Sequence, residues 1–310
     1  MAMVFQSRGR WLAAAGAVTY FLVAALVGAP GALAGQQVSP SQGRPIVGGT
    51  EAHTDAYPFM AALLHKGESA SVTERHFCGG TLVHPLLVMT AAHCAERVSQ
   101  SDMEIVVGRT NLNDVSQGAV YRVGKGGILF HPGWPKDRNY DAALIYLDRP
   151  VEGITPISLP TPRTDALLYP GSLATVMGWG YTASGYHPDR LRQVDVPLLS
   201  PPECKIAYGD YYDEESSICA GVSGKNFCAG DSGGPLFKTV PGRQDHIQIG
   251  IVSRGIMCAV RGGPGIYASL SSASFWDKWQ NSSEGKEKGL RLESSPASAG
   301  SRISLEGESR

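Results

Sequence analysis

From Ile46 onward the chain is cut into short apolar runs, "FMAALLH", "GTLVHPLLVMTAA", "MEIVVG", "AALIYL", "SLATVMGWG", "HIQIGIVS" and "GIYASL", separated by Gly, Pro, Asn and Asp. Runs of this length at this spacing predict an all-β sandwich or barrel set. Residues 147–165, "LDRPVEGITPISLPTPRTD", are rich in Pro and turn residues and predict a bridge between two halves of similar size. The apolar-aromatic segment around Phe275, Trp276 and Trp279 predicts a short closing helix. After Asn281 the chain is rich in Ser, Gly and Glu, which predicts a disordered polar tail over 282–310.

At the N-terminus, Arg8 and Arg10 precede the Ala/Val/Leu-rich run Trp11–Ala29, and Ala32-Leu33-Ala34 forms an A-x-A cleavage signature. Residues 1–34 therefore read as a signal peptide; an uncleaved membrane anchor is the alternative for an apolar run this long. The six cysteines are even in number and absent from the leader, which suits disulfides in an oxidising, extracellular compartment. Spacing alone does not choose their pairing. A formal charge of −1 gives no reason to expect nucleic acid or an anionic membrane as partner. No phosphate loop, zinc-type cysteine pair or EF-hand loop occurs, so no cofactor and no metal is expected. Asn281-Ser282-Ser283 is an N-glycosylation sequon.

The chemistry gathers around "KNFCAGDSGGPLF", residues 225–237. A serine nucleophile in acyl transfer needs a base, a group that orients the base, and N–H donors for the oxyanion. Gly230 and Gly233 let the backbone bend around Ser232, so the N–H groups of Gly230 and Ser232 can converge on one point. "TAAHC" supplies His93 and "NYDAALIYL" supplies Asp141. Alone, each reads as structural. Together they follow the order His, Asp, Ser of chymotrypsin-type enzymes.

On these motifs, with "IVGGTEA", "HFCGGTLV", "GWG", "ICAG", "IVSRG" and "GPGIY", the chain resembles the trypsin/chymotrypsin-like serine endopeptidases from Ile46 to about Asn281. The resemblance implies a protease domain over 46–281 made of two six-stranded antiparallel β-barrels with a short C-terminal helix. It implies His93 as general base and acid, Asp141 as its orienting partner and Ser232 as nucleophile. It implies the pairings Cys78–Cys94, Cys204–Cys219 and Cys228–Cys258. Protein or peptide substrates, protein protease inhibitors as partners, and a monomer go with it. So does activation by cleavage before Ile46, whose freed ammonium pairs with the buried Asp231, and His76 matches a position that can hold that acid before cleavage.

The departures from the family pattern are informative. Pro45 stands directly before "IVGG" with Arg44 one step back, so release of the propeptide 35–45 calls for an enzyme that accepts proline, or for trimming from the amino end. Asn226 stands where trypsin-like members carry the Asp that binds Arg or Lys, and an amide cannot supply that charge. Phe227 narrows the pocket while Gly255 and Gly265 keep its mouth open, which predicts a neutral, mainly apolar pocket of chymotrypsin- or elastase-like specificity, with Asn226 free to bond a polar tip. Ser253-Arg254-Gly255 matches the strand that pairs with substrate backbone. Arg254 replaces a usual aromatic and predicts a preference for acidic or polar upstream residues. Arg109 stands in the calcium loop and Pro264 in the sodium position. Two other readings are trypsin-like cleavage after Arg or Lys, against which Asn226 stands, and a catalytically silent protease-fold binding protein, against which the complete His93, Asp141, Ser232 and Gly230 stand.

Overall fold

The computed structural model describes residues 46, 48–67, 70–162, 165–182, 185–240, 242, 245–255, 258, 263–294 and 300–306. The expected leader and propeptide, with Arg44 and Pro45, lie outside them.

The first half holds β1 (Thr50–Glu51), β2 (Met60–His65), β3 (His76–His84), β4 (Leu87–Thr90), β5 (Met103–Val107), β6 (Ala119–Phe130) and β7 (Ala143–Leu147), with the one-turn helices α1 (Val72–Arg75) and α2 (Ala92–Ala95). Strands β2 to β7 close into an antiparallel barrel in the order β2-β3-β4-β7-β6-β5. Closure removes the sheet edges, and Leu63, Leu82, Val88, Ile105 and Leu144 fill the interior with no more than 1% exposure. Helix α1 is set by a capping box, with Ser71 and Glu74 satisfying each other's backbone N–H groups.

The second half holds β8 (Leu173–Gly178), β9 (Arg192–Pro197), α3 (Pro201–Tyr208), β10 (Ser217–Ala220), β11 (Pro235–Thr239), β12 (His246–Gly255), β13 (Gly265–Ser269) and α4 (Ala273–Asn281). Its sheet runs β1-β9-β8-β11-β12-β13-β10. The bridge Leu198↔Ala220, with Leu199 N–H donating to Cys219 O (2.9 Å) and Gly221 N–H to Pro197 O (3.0 Å), joins the end of β9 to β10. Six strands thus come round into a second ring, and β1 adds an edge to β9. The fold is the expected all-β pair with a short C-terminal helix. Ser272 caps α4 through Phe275 N–H, and Phe275, Trp276 and Trp279 are buried in the same core cluster as the first barrel.

The tail departs from expectation. Instead of a disordered segment, α5 (Ser283–Glu287) leads into a hairpin of β14 (Leu290–Ser294) and β15 (Ser301–Leu305). The register Leu290↔Leu305 and Leu292↔Ile303 puts the few large apolar residues on one face. Leu290 and Ile303 are buried in the first-barrel cluster, and Ser301 exchanges backbone hydrogen bonds with Leu159. Composition pointed to disorder because Ser and Glu outnumber these residues, yet alternation at period two suffices once a barrel wall is there to receive it.

The disulfides also differ in part. Cys78–Cys94 and Cys228–Cys258 are formed. Cys204 and Cys219, expected to pair, are buried free thiols in contact. The hydrogen bond to Cys204 and burial push the Cys219 thiol up.

Candidate active site

His93 sits on α2, directly after β4, and Asp141 ends the tight turn Arg138–Tyr140 that precedes β7. Because β4 and β7 are barrel neighbours, the two ends meet. Asp141 Oδ1 accepts from His93 N–H at 2.9 Å, and Oδ2 lies 2.7 Å from His93 Nδ1. A carboxylate only accepts, so Nδ1 carries a proton, and in the neutral ring Nε2 is the acceptor. Ser253 Oγ donates to the same Oδ2 at 2.6 Å. Burial opposes ionisation of Asp141, but the bonds from His93 and Ser253 outweigh it and hold the carboxyl below its ordinary range.

Ser253 was expected only as substrate-facing strand. A bulge between Val252 and Arg254 in the pairing with β13 turns its hydroxyl to Asp141. Nothing in the local sequence marks this, because the bulge is set by the partner strand.

Ser232 lies in the loop between β10 and β11, half-buried. Gly79 N–H donates to Ser232 O at 2.7 Å, which ties the loop to β3 beside Cys78. Gly233, at φ +82, is pressed against Thr90, three residues before His93: a Cβ there would come within 2.2 Å of Thr90 Oγ1. Only glycine fits, as expected. Ser232 is thereby held at the His93 corner, although no hydrogen bond joins it to His93 Nε2 among the described residues; such contacts tighten when substrate binds. Gly230 takes φ +94, and neither its N–H nor that of Ser232 donates to another group among the described residues.

Asp231, next to Ser232, is fully buried and accepts from the N–H groups of Gly180 and Cys228, both at 2.8 Å. Burial pushes its carboxyl up to about 7, against the pull of those two bonds. Ile46 is fully buried in the core of the second half, and no hydrogen bond links it to Asp231 among the described residues. His76 does not hold Asp231 either. Its Nδ1 lies 3.4 Å from His187 Nε2, and burial, then His187, push it down to about 3.

The pocket residues come together, with one change of role. The Phe227 ring lies between the two expected openings: a Cβ on Gly265 would come within 2.2 Å of its Cε1, and one on Gly255 within 3.0 Å of its Cζ. The ring also meets Tyr267 edge-on at 5.4 Å. Asn226 is 3% exposed; its Oδ1 accepts from Phe227 N–H (2.9 Å) and its Nδ2 donates to Gly263 O (3.2 Å). The amide is engaged within the protein, which corrects the expectation that it is free to bond a polar substrate tip. In the calcium-type loop, Arg109 donates to the carbonyls of Gln117 and Leu112 and so places a cation there itself.

Paired β-rings with a buried carboxylate–histidine couple beside a glycine-held serine define the class of the serine endopeptidases. The family model described as Trypsin matches residues 46–276. A venom peptide isomerase heavy chain of Agelenopsis aperta is 34% identical over 244 residues, covering 74% of this chain and 98% of that protein. A trypsin of Saccharopolyspora erythraea is 36% identical over 231 residues, covering 73% and 94%. Trypsin 5G1 of Aedes aegypti is 36% identical over 246 residues, covering 77% and 85%. The chain belongs to the trypsin family and is a serine endopeptidase acting on protein substrates.

Proposed function

We propose that Ser232 is the nucleophile, His93 the general base and then acid, and Asp141 the group that orients it. Ser232 Oγ attacks the scissile carbonyl carbon while its proton passes to His93 Nε2. The oxyanion is met by the N–H groups of Gly230 and Ser232. His93 then gives the proton to the leaving amine, and water repeats the cycle on the acyl-enzyme. The observation that carries this is the 2.7 Å contact of His93 Nδ1 with Asp141 Oδ2, which in the neutral ring leaves Nε2 as the acceptor.

The residue before the scissile bond is small and neutral. Supporting this is the Phe227 ring, which occupies the space that Gly255 and Gly265 would leave. Asn226, an amide turned inward, offers Arg and Lys no charge. The enzyme is made as a secreted zymogen and works as a monomer open to protein inhibitors. Removal of residues 35–45 frees the Ile46 ammonium, the cation that Asp231 lacks. The test is a scan of the residue before the cut, using fluorogenic peptides on protein beginning at Ile46, with Ser232→Ala as control. Cleavage after Ala, Val or Ser and none after Arg is expected, and Phe227→Ser should raise turnover after Tyr at least ~10-fold. Wild-type preference for Tyr over Ala would overturn the pocket assignment.

A further inference from the structure

Arg254 closes β12, the strand whose end was expected to face substrate, yet its guanidinium turns inward. Nη1 donates to Arg138 O at 3.0 Å, and Nη2 donates to Asn139 Oδ1 at 2.5 Å and Tyr211 O at 2.7 Å. Arg138 and Asn139 form the turn that delivers Asp141; Tyr211 ends the turn after α3. One planar fork therefore joins a loop of the first half to a loop of the second, a geometry that a lysine cannot reproduce. Nη1 also lies 3.4 Å from Ser253 Oγ, which donates to Asp141 Oδ2, the oxygen that meets His93.

Burying a cation beside this couple is unfavourable unless it is compensated. Burial does pull the Arg254 guanidinium down, while Asp141, Asp137 and Tyr208 support its charge and Arg138 opposes it. Around His93 the hydrogen-bonded acid is Asp141, and the neighbouring Cys94 is tied up in its disulfide. The guanidinium thus offsets part of the Asp141 charge that would otherwise favour an imidazolium.

We infer that Arg254 is a positioning residue for the His93–Asp141 pair: it locks the Asp141 turn to the Tyr211 turn and fixes a positive charge behind Asp141. This rests on the roles assigned above to His93 and Asp141. It also reassigns Arg254 from the substrate to the protein.

The test is an NMR titration of the His93 ring in the full chain carrying Ser232→Ala, which needs no turnover. Arg254→Gln keeps an amide able to donate to Asn139 or Tyr211 but removes the charge, and should raise the His93 midpoint by about 0.5 pH unit. Arg254→Lys keeps the charge without the fork and should leave the midpoint near that of the parent. Should Arg254→Gln fail to fold, Arg254→Met serves, with the same rise expected. An unmoved midpoint in the uncharged variant, or an equal rise in the Lys variant, overturns the inference. Failure of the functional assignment is read separately, as absence of peptide cleavage by the Ile46-initiated enzyme with its serine intact.

Discussion

Asp141 and Asp231 flank the same serine loop and are almost equally shut off from water, at 3% and 0% exposure. Burial raises both carboxyls, and what they are bonded to separates them. Asp141 receives a backbone N–H, an imidazole that can become a cation and a hydroxyl, and stays below its ordinary range. Asp231 receives two neutral backbone N–H groups and is pushed up to about 7. Two amide dipoles do not replace the hydration of a carboxylate; a neighbour able to carry positive charge does. The Asp141 corner is complete, whereas no cation bonds Asp231 among the described residues.

The largest expected effect follows from the complete corner. In Asp141→Asn the side-chain amide can donate as well as accept, so His93 is no longer held with its proton on Nδ1. Turnover of a peptide amide by the Ile46-initiated enzyme should fall ~10⁴-fold, as tautomer loss does in triads of this kind. A loss below tenfold would mean that Asp141 does not orient the base.

The incomplete corner predicts a substitution whose cost depends on the N-terminus. In the Ile46-initiated enzyme, Asp231→Asn strips the new ammonium of its partner and should cost ~3–5 kcal/mol in denaturant unfolding. In the full chain the same change sets the amide Nδ2 against one of the two buried N–H donors and should cost less, about 1–3 kcal/mol. Equal costs in the two chains would break the contrast.

Acidity sharpens it further. A carboxyl raised from its unfolded value contributes stability that is present at low pH and is lost as pH rises through the folded value. For Asp231 that window runs from the ordinary carboxylate range to about 7, and a shift of this size corresponds to roughly 4 kcal/mol. His76, pushed down to about 3, and His131, pushed down to about 4, work in the opposite direction. Their stability is present above the unfolded histidine value and is lost as pH falls. Both histidines are common to the two chains, so the difference in unfolding free energy between the Ile46-initiated and full chains isolates Asp231. That difference should grow from pH 4 to pH 7.5, and a flat difference would show that Asp231 already has its cation.

Of this site, the sequence made legible what local motifs carry. His93, Asp141, Ser232 and the glycines at 230 and 233 sit in runs whose chemistry can be read in place, and the strand runs foretold both rings. What escaped depends on residues distant in sequence. The aim of Ser253 follows from a bulge against β13, the inward turn of Arg254 from carbonyls at Arg138 and Tyr211, and the engagement of the Asn226 amide from the Gly263 carbonyl. The tail escaped for the same reason, since "LRLES" and "SRISL" alternate only weakly until Leu159 offers an edge.

The smallest effect tests whether the Asp141 corner acts as a unit. Ser253→Ala removes one donor from Oδ2 and leaves both bonds from His93. A hydrogen bond to a charged group contributes about 1.5–3 kcal/mol, so turnover should fall by roughly ten- to a hundredfold. Asp231 offers no equivalent change, because both of its donors are backbone. If the guanidinium reaches Asp141 through the Ser253 hydroxyl, Arg254→Gln should cost less in the Ser253→Ala background than alone. Independent sites add within about 0.3–0.5 kcal/mol, so a double mutant that falls inside that margin would mean the two side chains act on Asp141 separately. A coupling beyond the margin would place guanidinium, hydroxyl, carboxylate and imidazole in one hydrogen-bonded chain, with the Asp141 charge shared along it.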